Sequence, residues 1–295
     1  MSHTTVRFTE FAVDGARLTV STAGPSATDG ANGVVVLVHG AAQIGYSWRH
    51  QIRPLAAAGW RVLAPDLRGC GWSPVTGPGT AFDAGSVGGD IVTMIESEGI
   101  DPVVLVGQGF GCDVVRAASR TLGGRVAGLV AVSPGREPFD RMLRIDEEVH
   151  GVDEARRRVR IDPYTALRRT FWSGSAEAGS SPDVPAGLPP HLQPAEFENY
   201  FRAYARSGFD ASFGFVDQRR LGDRAAAPGT AHDLPTRTLV VTSGADAQTN
   251  ASADEVASSV DSMHVSIDGH GHWLPEEAPD SVTEALLHFC GSALA

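Results

Sequence analysis

The sequence predicts an α/β protein with a mostly parallel central sheet, helices on both of its faces, and a helical insertion late in the chain. Three observations carry that prediction. Val34 to Val38, Val103 to Val106 and Val126 to Val132 are short, continuous apolar runs rich in valine, the pattern of strands buried on both faces. Stretches of helical pattern separate most such runs, the alternation that parallel crossover units require. The alternation stops from about Pro138 to Pro228, where arginine-rich helical pieces replace it. A chain of 295 residues suits one large domain that carries an insertion.

In chain order, Val6 to Val13 and Ala16 to Ser21 flank Asp14-Gly15 and read as a hairpin. Val34 to Val38 follows, ending at His39-Gly40, and Trp48 to Ala58 reads as a helix. Arg61 to Ala64 is the next strand, Ser86 to Glu98 the next helix, and Val103 to Val106 the strand before a glycine-rich turn. Asp113 to Thr121 is helical, Val126 to Val132 a strand. After the insertion, Thr238 to Thr242 and His264 to Ile267 read as strands, Asp254 to Ser259 and Pro279 to Phe289 as helices. The expected division is a core of residues 1–137, a helical cap of 138–228 over the carboxyl ends of the strands, and a second core part of 229–295. Open α/β folds place their ligands at that edge.

Charge and composition narrow the function. A formal net charge of −11 argues against nucleic acid or an anionic membrane as partner. Every basic residue counted in the 24 Lys+Arg is arginine. Cys70, Cys112 and Cys290 show neither disulfide nor metal-ligand spacing, so a reducing cytoplasm is the expected setting and no metal or cofactor is expected. The first residues lack a signal-peptide pattern, and no apolar run reaches the ~18 residues of a membrane span. The expected partner is a small, bulky and partly apolar molecule, with a homodimer left open.

The chemistry is concentrated in three places. Gly107-Gln108-Gly109-Phe110-Gly111 has the strand–turn–helix pattern of a nucleophile elbow, with Gly109 at the nucleophile's position. The backbone N–H groups of Ala41, after His39-Gly40, and of Phe110 can form a two-donor oxyanion hole. Gly271-His272-Trp273, between the last strand and the last helix, supplies an imidazole.

HGAAQIGYSWRHQIRPLAAAGWRVLAPDLRGCGWS and GHGHWLPEEAPDSVTEALLHF resemble the epoxide hydrolase and haloalkane dehalogenase branch of the α/β-hydrolases. YARSGFDASFGF resembles the cap segment of epoxide hydrolases, and the likeness covers most of the chain. The resemblance implies the α/β-hydrolase fold, an elbow aspartate as covalent nucleophile, and cap tyrosines that protonate the epoxide oxygen. This chain departs at each point: Gly109 replaces the aspartate, Val216 stands near a tyrosine's place, and Ala42 replaces the proline of the HG-x-P turn. The family's acid position falls on Ala247 with Asp246 one residue early, and the alternative acid position falls on Ser133.

His272 is the expected general base, against a histidine retained for packing. Asp246 is the expected orienting acid, against a solvated loop aspartate. Asp113, one helical turn beyond Gly109, is a second catalytic candidate, against an ion pair with an arginine such as Arg116. Gly109, Gln108, Tyr46, Trp48, Trp172, Tyr204 and Trp273 are the expected substrate-binding residues, with packing the alternative for Trp48 and for the cap aromatics Phe171, Trp172, Tyr200 and Tyr204. Cys112 reads as a small core residue and Asp66 as structural.

Glycine forms no ester, so covalent catalysis at position 109 is excluded. The expected function is therefore cofactor-independent acid–base chemistry by His272 and the oxyanion hole: cyclisation, conjugate addition, elimination or isomerisation of a bulky, polyketide-type metabolite in a pocket enlarged by Gly109. The alternatives are an epoxide or ester hydrolase that activates water directly, or one whose nucleophile has been substituted away, and a non-catalytic ligand-binding protein.

Overall fold

The computed structural model describes residues 4–75, 80–135, 137–175, 184–225, 237–244 and 262–293, the side chains of 222–225 excepted. Among them eight strands make one sheet: β1 (Arg7–Val13), β2 (Ala16–Ala23), β3 (Val34–Val38), β4 (Arg61–Pro65), β5 (Val103–Gln108), β6 (Val126–Val132), β7 (Thr238–Ser243) and β8 (Ser262–Ile267). Their order is β1-β2-β4-β3-β5-β6-β7-β8. β2 pairs antiparallel with β1 and β4, and every other pairing is parallel. The predicted α/β-hydrolase fold is therefore the observed one.

Strand alternation explains how the valine runs serve two cores at once. Val34, Val36 and Val38 of β3 enter one apolar cluster, Val35 and Leu37 the other. Val103 and Leu105 of β5 divide from Val104 and Val106 in the same way. Successive side chains of a strand point to opposite faces, so a continuous apolar run fits only a sheet covered on both. Helices α2 (Ala84–Glu98) and α3 (Phe110–Leu122) cover one face through Val87, Ile91, Met94 and Val114. Helix α1 (Arg49–Ala57) covers the other through Ile52 and Leu55.

Helix α3 begins at Phe110, three residues before the predicted start, because Gly109 passes directly from the strand into the helix. That places the Phe110 N–H in the first turn, where helix N–H groups have no partner within the helix. The predicted helix Asp254 to Ser259 lies outside the described residues.

Between β6 and β7 the described residues form five helices and no strand: α4 (Pro138–His150), α5 (Val152–Ile161), α6 (Pro163–Gly174), α7 (Pro194–Ser207) and α8 (Asp210–Ala225). Their arginines join helix to helix. Arg169 of α6 pairs with Asp146 of α4 at 2.6 Å, Arg156 of α5 with Asp217 of α8 at 2.5 Å, and Arg220 of α8 with Asp140 of α4 at 2.6 Å. Phe139, Phe171, Tyr200, Tyr204, Phe209 and Phe215 bury themselves in the same cluster as Val36 and Leu105. The insertion is thus packed onto the carboxyl edge of the sheet by a continuous apolar core. A short helix, α9 (Leu274–Glu277), and a longer one, α10 (Pro279–Ser292), close the described chain, the latter packed beside α1 through Val282, Leu286 and Phe289.

Candidate active site

The turn after β3 is held by an imidazole that takes no part in chemistry. His39 is fully buried; its Nε2 accepts from the Leu67 N–H at 3.0 Å, and Nδ1 meets the Gly40 carbonyl at 2.7 Å. Burial draws its pKa down to about 4, so it stays neutral and serves as a post. Ala42 takes a left-handed φ of 59°, and its N–H reaches Ser212 Oγ at 3.3 Å. From α7, the Tyr204 hydroxyl donates to the Gln43 carbonyl at 2.9 Å. These ties aim the Ala41 N–H into the protein.

The elbow faces that turn. Gly109 has φ 52° and ψ −118°, a conformation that costs a residue with a side chain of order 1–3 kcal/mol. Its successor, Phe110, points its N–H at the same spot as Ala41. What both donors meet is a carboxylate. Glu137, on the loop after β6, places Oε1 at 3.0 Å from the Ala41 N–H and 2.5 Å from the Phe110 N–H. A Cβ built on Gly109 would overlap that carboxylate, so Glu137 fills the room that an elbow side chain would need.

His272 completes the cluster. Its Nε2 lies 3.5 Å from Glu137 Oε2, and both side chains are 2% exposed. The His272 N–H donates to the Gly174 carbonyl at 2.6 Å, and its carbonyl accepts from Gln108 Nε2 at 3.0 Å. The loop is therefore fixed from the insertion on one side and from the elbow on the other. Burial pushes the Glu137 carboxyl upward, but His272 and the N–H groups of Phe110 and Ala41 outweigh it and hold it below the usual carboxylate range. Oε2 faces that imidazole and has no other hydrogen-bond partner among the described residues.

A small cavity of about 10 Å³ adjoins Glu137, lined also by Ala41, Phe110, Asp140, Val216 and Arg219. That is room for about one water molecule. The room that Gly109 was expected to add to a pocket is taken, among the described residues, by the Glu137 carboxylate. Val216 does line the cavity, and no tyrosine does.

The structure brings together four of the expected residues: His272, Ala41, Phe110 and Gly109. Asp246 lies outside the described residues. Asp113 pairs with Arg116 at 2.9 Å and with Arg219 at 3.6 Å, and it does not line the cavity. Gln108 holds the His272 loop instead of the cavity wall. Trp48 is fully buried on the opposite face of the sheet. Tyr46 packs edge-on to Tyr200, Trp172 Nε1 donates to the Gly187 carbonyl, and Trp273 Nε1 to the Phe171 carbonyl. Tyr204 stacks on Phe209. These aromatics bind the insertion to the core and leave the cavity to other residues.

Glu137 is what sequence reasoning missed, together with Asp140, Phe215, Arg219 and Arg220 on the cavity wall. Its signal was topological. The end of β6 lies beside the end of β5, so a loop leaving β6 runs past the elbow. Among the described residues no group of three His, Cys, Asp or Glu side chains is arranged to hold a metal.

Comparison with known proteins gives one consistent answer. Residues 33–279 match the family model described as the alpha/beta hydrolase fold. Epoxide hydrolase A of Mycobacterium tuberculosis is 31% identical, over 95% of this chain and 97% of that protein. The crystal structure of epoxide hydrolase A from Mycobacterium thermoresistibile superposes with a TM-score of 0.77 at 26% identity, covering 97% of this chain and 98% of the other. An epoxide hydrolase from an endophytic Streptomyces shares the fold, with a TM-score of 0.80 at 22% identity over 97% of this chain and 96% of its own. This chain belongs to the α/β-hydrolase-fold family, in its epoxide-hydrolase-like branch.

Proposed function

We propose that this protein is a cofactor-independent hydrolase that opens an epoxide to a diol at the Glu137–His272 pair. One observation carries the reading: a buried carboxylate and imidazole 3.5 Å apart, with two backbone N–H groups already aimed at the carboxylate. A strained ring carbon needs a nucleophile, the departing oxygen needs a proton, and water needs a base. A carboxylate and an imidazole supply these roles without a cofactor. The N–H pair stabilises negative charge wherever it develops on the acyl oxygen. The relatives, named as epoxide hydrolases, support the same substrate class.

Non-hydrolytic chemistry on a bulky polyketide-type metabolite loses its main support. It rested on an elbow left without a carboxylate and on an enlarged pocket, and Glu137 removes both. A purely ligand-binding role gives no account of an anion buried against an imidazole. For substrate to enter, the wall formed by Phe110 and Phe215, stacked at 4.4 Å, has to part.

The test is a panel of small aliphatic and aryl epoxides, with diol followed by chromatography. Diol should form, and His272→Ala should lower kcat on the order of 10²–10⁴-fold with far less change in substrate binding. If no epoxide gives diol, while a bulky enolisable ketone is cyclised or isomerised, the order of the two readings reverses.

A further inference from the structure

We infer that Glu137 is the covalent nucleophile of this enzyme, moved from the elbow to the loop after β6, and that Gly109 is the vacancy that admits it. The inference rests on the epoxide-hydrolase reading above and names the residue that does its first step.

Position is the first ground. The carboxylate stands in the volume that any side chain at 109 would enter, so glutamate and glycine exclude each other's alternatives. Strained backbone on either side serves this placement. Gly109 takes φ 52°, and Ser133, where the chain leaves β6, takes φ 44° without being glycine. Non-glycine residues persist at such φ values only where the surroundings hold them there.

Orientation is the second. A carboxylate buried for structure uses both oxygens; Glu276 does so, with Oε1 taking Arg49 at 2.6 Å and Tyr200 at 2.8 Å, and Oε2 taking Gln43 at 3.4 Å. Glu137 instead spends Oε1 on two N–H groups, while Oε2 faces His272 Nε2 at 3.5 Å beside the cavity and has no other partner among the described residues. That is the division of labour an attacking carboxylate needs. Oε2 forms the new bond, and Oε1 becomes the ester carbonyl oxygen already seated in the N–H pair. An acid that only oriented the imidazole would have no use for the oxyanion donors.

The reaction balances on this pair and one water. The step requires Glu137 as carboxylate and a proton on His272. Oε2 attacks a ring carbon and the C–O bond of the epoxide breaks. The departing oxygen takes the imidazolium proton, leaving a hydroxyalkyl ester and a neutral imidazole. This imidazolium stands in for the tyrosine acids that the cavity lacks. Water then loses a proton to the imidazole as it attacks the ester carbonyl carbon, and the tetrahedral oxyanion sits between the Ala41 and Phe110 N–H groups. Collapse releases the diol, the remaining water proton passing to its alkoxide, and restores carboxylate and imidazolium.

The parent protein itself provides the test, in a single turnover of styrene oxide in heavy-oxygen water with enzyme in excess. The inference expects an unlabelled first-turnover diol, since its new oxygen comes from the enzyme, and one heavy oxygen in the peptide that contains Glu137. A labelled diol with an unlabelled protein means water attacked directly: Glu137 is then no nucleophile, though the hydrolase reading stands. Label in the peptide of Asp113 or Asp246 assigns the nucleophile elsewhere and overturns the inference. No diol from styrene oxide or any of the epoxide panel removes the hydrolase reading and this one with it.

Discussion

Glu137 and Glu276 are both buried glutamates within one domain, 2% and 5% exposed, and they teach how to tell a working carboxylate from a structural one. Burial alone does not separate them, since taking any carboxylate out of water costs several kcal/mol. Their partners do. Glu276 ties α1, α7 and α9 together through Arg49, Tyr200 and Gln43, and all three partners are side chains. Glu137 depends on its surroundings far more than they depend on it. Two backbone N–H groups converge on its Oε1 and an imidazole faces its Oε2, so its partners are donors of the site and not charged side chains of the cap.

The same substitution at both sites should therefore give opposite results. Glu137→Gln keeps an amide oxygen for the two N–H groups but offers no nucleophile. Turnover should fall at least roughly 10³-fold, while stability by urea unfolding changes by no more than about 1 kcal/mol. Glu276→Gln leaves the Arg49 guanidinium with Glu196 alone, 3.0 Å away and less buried, and stability should fall by up to about 3 kcal/mol. If Glu137→Gln instead unfolds the protein and Glu276→Gln does not, the assignment of roles is inverted.

A smaller effect sharpens the point at the elbow. Gly109→Ala forces a side chain into a left-handed backbone and against the Glu137 carboxylate. The strain should cost about 1–3 kcal/mol of stability. Activity should fall with it, because the carboxylate leaves the N–H pair. Unchanged kinetics in a stably folded Gly109→Ala protein would mean the carboxylate has another place to work from.

How much of this was legible without coordinates follows from the range of the forces involved. The strands were legible because each valine run has to satisfy two cores, a constraint written locally. His272, Ala41 and Phe110 were legible because turn chemistry and chain order mark them. Glu137 was not, because a glutamate before a proline in a polar loop looks like a solvated charge, and only the pairing of β5 with β6 brings it to the elbow. The aromatics misled for the opposite reason: Tyr204 of the insertion and Trp273 beside His272 have the character of ligand-binding residues, but their polar ends are consumed by the Gln43 and Phe171 carbonyls. Asp113 showed its alternative in the sequence itself, with Arg116 three residues on.

The smallest expected effect is the dependence of stability on pH. The ordinary value for a glutamate is 4.5, and Glu137 is held below it in the folded protein. Burial alone would raise it; His272 and the two N–H groups bring it down. The folded state then binds fewer protons at this site than the unfolded chain does. Its contribution is complete above the unfolded value and is lost as the pH falls through the lower, folded one, with a slope of at most about 1.4 kcal/mol per pH unit. The part of the difference in urea midpoint between the parent and Glu137→Gln that belongs to Glu137 should thus be lost only as the pH falls below 4.5, while any change between about pH 7 and pH 5 belongs to His272, which loses its anion in the variant. A Glu137 contribution that instead grows as the pH falls through the carboxylate range would mean that burial wins and Glu137 rests as the neutral acid. It could not then attack an epoxide before giving up its proton, and His272 would stand as a base from the start.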